Sequence, residues 1–176
     1  MSDKKAEAEA QEIIGDNDQQ DQNEEVMRRQ KVYLAAGWFN PTQAEELDRL
    51  EQICDSREWI DLASPRRIFV CPPDAPKEAQ DETFVGNLKH IAEADFLIVN
   101  TRDKDIGTIW EAGFAYALQR PIVYFCNGLP EKAKFNLMLA RSGCKVCTSF
   151  EQLEEYLDRS WDAKELILEP YDQEIE

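Results

Sequence analysis

The chain is poor in the residues that build metal centres and disulfide frameworks. Its 176 residues include one histidine, His90, and five cysteines, an odd number. Cys144 and Cys147 form a single CxxC, and a tetrahedral zinc site lacks ligands because there is no second pair and only one histidine. We therefore expect reduced thiols, no disulfide framework and no metal site.

Long apolar runs and phosphate-binding loops are also missing. The first residues lack the apolar stretch of a signal peptide, and the longest apolar runs are far too short to span a bilayer. This pattern predicts a cytoplasmic protein without membrane contact. The chain contains neither GxGxxG nor a Walker A lysine loop, so no nucleotide cofactor is expected.

Basic residues are scarce, with 20 lysines and arginines against 36 acids and a net charge of −16. Residues 1–30 carry nine acids against four bases, and residues 151–176 carry ten against two. Such a surface repels a polyanion, so a nucleic acid polymer is a poor partner, whereas a small nucleoside is compatible with it. We interpret residues 1–30 as a disordered acidic tail, 31–160 as one domain and 161–176 as an acidic C-terminal tail.

Within the domain, short apolar strands alternate with amphipathic helices. The strands are predicted at Lys31–Ala36, Ile68–Cys71, Phe96–Val99, Ile122–Cys126 and Lys145–Thr148. The uninterrupted apolar runs at 96–99 and 122–126 are typical of central parallel strands that are buried on both faces. The alternation predicts an α/β fold, a doubly wound five-stranded parallel sheet with helices on both faces.

One segment, Asp105–Leu118, combines an apolar helix with two acidic residues. Thr108 is predicted to be the N-cap, and the helix that follows is predicted to be buried. Its single charged residue, Glu111, therefore needs either a partner that offsets the cost of burial or a role in a functional site. One interpretation is a capping box, in which Glu111 folds back onto the N–H of Thr108. The other is a ligand crevice, because Asp105 and Glu111 follow a central strand at the carboxyl edge of the sheet.

Three motifs, taken together, resemble the nucleoside 2-deoxyribosyltransferase family. They are Val32–Phe39, which reads VYLAAGWF, the pattern Asp105-x-Gly107-Thr-x-x-Glu111-x-Gly, and Phe135-Asn-Leu-Met138. The resemblance covers roughly residues 31–158. It implies a flavodoxin-like sheet, in agreement with the fold predicted from the strands.

The resemblance also implies a chemistry, the transfer of 2-deoxyribose between nucleobases. Glu111 would attack the anomeric carbon as a nucleophile, Asp105 would contact the base and handle its proton, and Tyr33 would hold the glutamate by a hydrogen bond. The helix N-terminus is expected to keep Glu111 ionised at neutral pH. The expected partners are a deoxyribonucleoside and a free nucleobase.

Other positions would complete a substrate pocket. Asn136 and Met138 would reach into a neighbouring subunit's site to hold the sugar 5'-hydroxyl, which implies a homo-oligomer with shared sites. Capping of a short helix is an equally good interpretation of Asn136, and anchoring of a loop in the core is an alternative for the two aromatic residues of the first motif. The remaining substrate-binding candidates are Gly37, Trp38, Phe39, Asp74, Asn87 and Gly107.

Two further functions stay open at this point. A 2'-deoxynucleoside 5'-monophosphate N-glycosidase would use the same glutamate with water as acceptor, and Arg141 and Ser142 lie close enough in sequence to serve a phosphate. A non-catalytic flavodoxin-like module would bind a nucleoside or a protein, with Glu111 as a cap only. Asn87 stands where many relatives have aspartate, and an amide cannot titrate.

Overall fold

Five short apolar segments form a wholly parallel sheet. The computed structural model describes residues 28–69, 71–130 and 133–176. The strands are β1 (Gln30–Ala35), β2 (Ile60–Ala63), β3 (Phe96–Asn100), β4 (Ile122–Phe125) and β5 (Lys145–Cys147), in the spatial order β2-β1-β3-β4-β5. This is the strand order of flavodoxin-like sheets, and the predicted fold class is confirmed.

Helices cover both faces of this sheet. They are α1 (Pro41–Asp55), α2 (Pro65–Ile68), α3 (Lys77–Glu93), α4 (Ile106–Ala117), α5 (Leu137–Ser142) and α6 (Phe150–Ala163). Side chains alternate along β1, so Val32 and Leu34 pack with α1 and α6, whereas Tyr33 and Ala35 point to the opposite face with α3 and α4. The alternation thereby places Tyr33 on the side of the sheet that carries α4.

The prediction of a strand at Ile68–Cys71 is wrong. The second strand is β2, whose Asp61 pairs with Lys31 of β1, and Ile68 ends the short helix α2. Because β2 lies at the edge of the sheet and exposes Asp61, it lacks the continuous apolar run that marks a central strand. Phe69 packs instead against α3, with its ring 5.9 Å from that of His90.

Helix α4 is only half buried, contrary to the prediction. Thr108, Ala112 and Ala115 face the sheet, whereas Ile106, Trp110 and Tyr116 are exposed. An all-apolar helix can be read from sequence as a core helix, but here a single stripe of small residues contacts the sheet. The large apolar side chains of α4 therefore lie at the surface.

The C-terminal segment packs on the domain through its apolar and aromatic residues, whereas most of its acidic residues are exposed. Trp161–Ala163 complete α6, and Lys164 ends it in the left-handed conformation with φ 60°. Tyr171 is buried with its ring 5.4 Å from that of Phe135. Ion pairs with the core elements neutralise part of the acidity, and one of them joins Lys145 to Glu169 at 2.6 Å.

The predicted tail at 1–30 lies, except for its last three residues, outside the described residues. In the parts of the chain that are described, no helix has the length and apolar character that a bilayer crossing requires.

We expect Gly143→Ala to destabilise the domain by about 1–3 kcal/mol. A Cβ at this position would lie 2.6 Å from Cδ2 of Tyr124 and 3.2 Å from the carbonyl oxygen of Ile122, and the buried tyrosine ring has no room to retreat. Urea unfolding followed by circular dichroism measures the loss. Gln52→Ala, on the exposed side of α1, is the control and should stay within about 0.5 kcal/mol of wild type. A Gly143→Ala protein as stable as wild type would contradict this packing.

Candidate active site

Tyr33 and Glu111 meet between the sheet and α4. Tyr33 is fully buried in β1, and its hydroxyl donates a hydrogen bond of 2.7 Å to Oε1 of Glu111, across a sequence separation of 78 residues. The structure therefore brings together two of the three residues to which the sequence assigned catalysis. One oxygen of the carboxyl group is held, and Oε2 is left for another contact.

Asp105 caps α4, so the prediction of Thr108 as the cap is wrong. The Oδ2 atom of Asp105 accepts a hydrogen bond of 2.8 Å from the N–H of Thr108, and the helix begins at Ile106. Aspartate is as good an N-cap as threonine, and this earlier start buries Thr108 inside the first turns. Since Glu111 bonds to Tyr33 and Thr108 is not the cap, the capping-box interpretation of Glu111 is also wrong.

The pKa of Glu111 is raised to about 7. Burial is the main cause and the negative charge of Asp105 adds to it, while the hydrogen bond from Tyr33 acts in the opposite direction. The expectation that the helix N-terminus keeps Glu111 ionised at neutral pH is wrong, because Glu111 lies too far along the helix. Glu111 is the sixth residue of α4, beyond the first turn in which the helix dipole is effective.

Tyr33 remains protonated beside this carboxyl group. Burial first, and then the charge of Glu111 and the hydrogen bond to it, raise the pKa of Tyr33 far above its ordinary value. The phenol is therefore protonated at neutral pH and can donate to Glu111. A carboxyl group with a pKa near neutrality that accepts from such a donor is typical of catalytic sites.

The loop after β1 presents two aromatic rings at the carboxyl edge of the sheet. The rings of Trp38 and Phe39 stack with centroids 5.3 Å apart, and Phe39 is 73% exposed, so the core-anchor alternative is wrong for it. Gln43, which the sequence analysis missed, fixes the loop by accepting a hydrogen bond of 2.9 Å from the N–H of Phe39. The buried Gly37 is needed because a Cβ would lie 3.2 Å from the Gln43 carboxamide.

Asn87 carries an unpaired acceptor. It lies on α3 one turn after Phe84, whose ring is 5.8 Å from that of Trp110 in α4. Among the described residues, its buried Oδ1 atom has no hydrogen-bond partner. A buried acceptor without a partner is costly to the folded state.

Two other predicted site residues, Asp74 and Gly107, are exposed. Asp74 is exposed in the turn after α2, and no described contact links it to Glu111. Gly107 is exposed in the first turn of α4, where a Cβ would lie 3.4 Å from Oδ2 of Asp105.

Asn136 and Met138 lie apart from Glu111 within one chain. Asn136 caps α5, accepting hydrogen bonds of 3.0 Å and 3.3 Å from the N–H groups of Met138 and Leu139. Both Asn136 and Met138 are exposed, and they line a cavity of about 680 Å³ that also involves Ile109 and Trp110 of α4. Glu111 is absent from the described lining of this cavity.

The model of the family described as nucleoside 2-deoxyribosyltransferase matches residues 32–147, more than half of the chain. This chain belongs to the nucleoside 2-deoxyribosyltransferase family. The match begins in β1 and ends with β5, so it contains the whole sheet and the Tyr33–Glu111 pair. A comparison with curated protein sequences gives no significant match.

Solved structures with similar folds include a 2-deoxyribosyltransferase. A 2-deoxyribosyltransferase from Bacillus psychrosaccharolyticus is 27% identical, with 80% of this chain and 98% of that chain covered and a TM-score of 0.66. A conserved protein from Enterococcus faecalis V583 is 19% identical, with 74% and 98% covered and a TM-score of 0.62. A CMP N-glycosidase from Clostridium botulinum is 16% identical, with 72% and 97% covered and a TM-score of 0.50. The last two are similar in fold alone.

We expect Glu111→Gln to stabilise the protein by about 1–3 kcal/mol at pH 8. The folded-state pKa of about 7 exceeds the ordinary value of 4.5, so between these two pH values the folded protein binds a proton that the unfolded chain does not. The free energy of unfolding therefore falls as the pH rises from 4.5 to about 7. Glutamine carries no charge and still accepts from Tyr33. Urea unfolding at pH 5 and pH 8 measures the difference, which should shrink at the lower pH.

Glu51→Gln is the matched control for this prediction. Glu51 is also buried, but hydrogen bonds from Arg66 and Ser64 outweigh the effect of burial and lower its pKa. Its replacement should therefore destabilise the protein at pH 8. A Glu111→Gln protein that is less stable than wild type at pH 8 would contradict the raised pKa.

Proposed function

We propose that the protein transfers 2-deoxyribose from a deoxyribonucleoside to a free nucleobase through a covalent ester on Glu111. The observation that carries this proposal is the half-buried Glu111, whose carboxyl group has its pKa raised to about 7 and accepts a hydrogen bond of 2.7 Å from Tyr33. Membership of the family supports the same chemistry. The family is named for this transfer, and the chain has residues that suit it.

In the first step, the Glu111 carboxylate attacks the anomeric carbon as the bond from that carbon to the base nitrogen breaks. The bonding electrons leave with the base, and Asp105, which enters this step in its protonated form, gives its proton to the base and becomes a carboxylate. In the second step, a nitrogen of the acceptor base attacks the same carbon and Glu111 departs as a carboxylate, while Asp105 takes the acceptor's proton. Two displacements at one carbon retain its configuration.

Burial of Glu111 serves this reaction in two ways. A desolvated carboxylate has little water to shed before it attacks, and a negative charge next to the sugar stabilises the oxocarbenium-like transition state. The hydroxyl of Tyr33 fixes Oε1, which leaves Oε2 to bond to carbon. A 2'-hydroxyl close to this pair would compete for the hydrogen bond and withdraw electrons from the reacting carbon, so we expect deoxyribonucleosides to be preferred over ribonucleosides.

The proposal includes a homo-oligomer in which subunits share their sites. Asn136 and Met138 are exposed and line a cavity whose described lining does not include Glu111 of their own chain, which suits a contact with the sugar 5'-hydroxyl in a neighbour. The exposed apolar side chains of the helical face provide a surface for association. They are Phe84, Ile106, Trp110 and Tyr116.

A 2'-deoxynucleoside 5'-monophosphate N-glycosidase is the second candidate. Lys104 and Lys134 line the same cavity as Asn136, and two ammonium groups beside a 5'-position suit a phosphate. Arg141 and Ser142 are less suited, because Arg141 donates to the carbonyl oxygen of Tyr171 and Ser142 pairs with a buried tyrosine. In this reaction water would take the place of the acceptor base.

Incubation with deoxyinosine and adenine, followed by chromatography, tests the proposal. We expect deoxyadenosine and hypoxanthine, a Glu111→Gln protein slower by several orders of magnitude, and a poor rate with inosine. Deoxyribose 5-phosphate and hypoxanthine formed from deoxyinosine 5'-monophosphate, without exchange, would favour the glycosidase. A Glu111→Gln protein within about tenfold of wild type would exclude Glu111 as the nucleophile.

Complementation tests the shared sites. We expect Asn136→Ser to lower the exchange rate at least about tenfold, because serine still caps α5 but is too short to reach a neighbouring sugar. In a dimer co-expressed from Glu111→Gln and Asn136→Ser chains, a mixed pair has one site with both native residues. Random pairing then restores about a quarter of wild-type activity. A mixture no more active than its parents would show that each chain completes its own site.

A further inference from the structure

The turn between β3 and α4 has an unusual backbone. Within the 3-10 turn Arg102–Lys104, Asp103 and Lys104 have φ values of 58° and 52°. The left-handed region is uncommon for residues other than glycine, and two in succession persist only when surrounding contacts enforce them. The turn leads directly into Asp105, the cap of α4.

A buried carboxylate supplies those contacts. Glu46 of α1 is 5% exposed, and both of its carboxylate oxygens lie 3.0 Å from Nε of Arg102, whose Nη2 also contacts Oε1. The side-chain amides of Asn100 and Asn127 each donate to the same carboxylate at 3.1 Å. Arg102 Nη2 further donates to the carbonyl oxygen of Asn127 at 3.0 Å. Glu46 thus joins the ends of β3 and β4 to the start of the turn.

The remaining parts of the turn are held from the same helix. Nδ2 of Asn40, the N-cap of α1, donates to Oδ2 of Asp103 at 2.9 Å. Burial alone would raise the pKa of Glu46, but the hydrogen bonds from Arg102, Asn100 and Asn127 outweigh it and lower the pKa. The carboxylate is therefore charged at neutral pH, and the contact with Arg102 is an ion pair with a forked geometry.

We propose that Glu46 and Arg102 are positioning residues that hold Asp105 where it exchanges a proton with the nucleobase. This inference rests on the proposed function, because it assigns to Asp105 the proton of the leaving base. Arg102 lies three residues before Asp105 and shares with it the strained turn. The described contacts of Glu46 and Arg102 include neither Asp105 nor Glu111, so the pair reaches Asp105 through the backbone of the turn that ends at it.

Two substrates that differ in their need for a proton test this role. The base of 2'-deoxyguanosine requires protonation to leave, whereas that of 7-methyl-2'-deoxyguanosine is already cationic and leaves without it. We expect Glu46→Gln to lower the single-turnover rate of base release from 2'-deoxyguanosine, measured with excess enzyme and no acceptor base, about 10- to 100-fold, and to keep that rate for the methylated substrate within about threefold of wild type. The enzyme concentration that gives half of the maximal rate should change little for either substrate.

Glu51→Gln is the matched control. Glu51 lies on the same helix, is 3% exposed and pairs with an arginine, Arg66, but its partners follow β2 and not β3. It should affect the two substrates equally. Arg102→Gln removes the half-buried partner of the pair. It should reproduce the selective loss even if Glu46→Gln folds poorly.

Equal losses on both substrates, or no loss on either, in a folded Glu46→Gln or Arg102→Gln protein would overturn the positioning role. Failure of the proposed function looks different, because the wild-type protein would then release no base from either substrate.

Discussion

The hydrogen bond from Tyr33 to Glu111 is the interaction on which the site depends. It exists because the alternation of β1 turns a tyrosine towards α4, and because α4 starts early enough for its sixth residue to face that strand. The bond satisfies one of the two carboxyl oxygens of Glu111, and this carboxyl group has no cationic partner among its described contacts. Burial therefore dominates the balance and raises the pKa of Glu111 to about 7.

Two other buried glutamates show what the molecule does when a carboxylate is structural. Glu46 and Glu51 each form an ion pair with an arginine and accept further hydrogen bonds, so their pKa values are lowered in spite of burial. Glu111 receives a phenol in place of an arginine. A buried acid left without a counter-charge costs stability, and a protein keeps such a group where its chemistry is used. The contrast favours Glu111 as the candidate catalytic residue without reference to relatives.

The sequence predicted the elements whose signal is local. The apolar runs of β3 and β4 mark central strands in any context, and with β1 and β5 they were enough for the fold class. β2 was missed because an edge strand with an exposed Asp61 has a weaker pattern than the nearby Ile68–Cys71 segment. The contact between Glu46 and Arg102 joins residues 56 apart in sequence, and its carboxylate looks like any solvated charge on a helix. The cap at Asp105 was missed because Thr108 fits the capping-box pattern equally well.

The same limit explains the site residues. The pairing of Tyr33 with Glu111 was expected from the family resemblance, since neither residue shows its partner in the sequence around it. The acceptor of Asn87, in contrast, could be recognised only when the fold showed it buried without a partner among the described residues. Local pattern thus gives elements, and long-range packing gives the chemistry of individual side chains.

The central claim is that Glu111 bonds covalently to the sugar. Mass spectrometry of the intact protein, quenched in acid after mixing with deoxyinosine and no acceptor base, tests it most directly. The account predicts a mass increase of one deoxyribosyl group, located by peptide mapping on the fragment that contains Glu111 and absent from the Glu111→Gln protein. A wild-type protein that releases hypoxanthine but carries the adduct on another residue would contradict it.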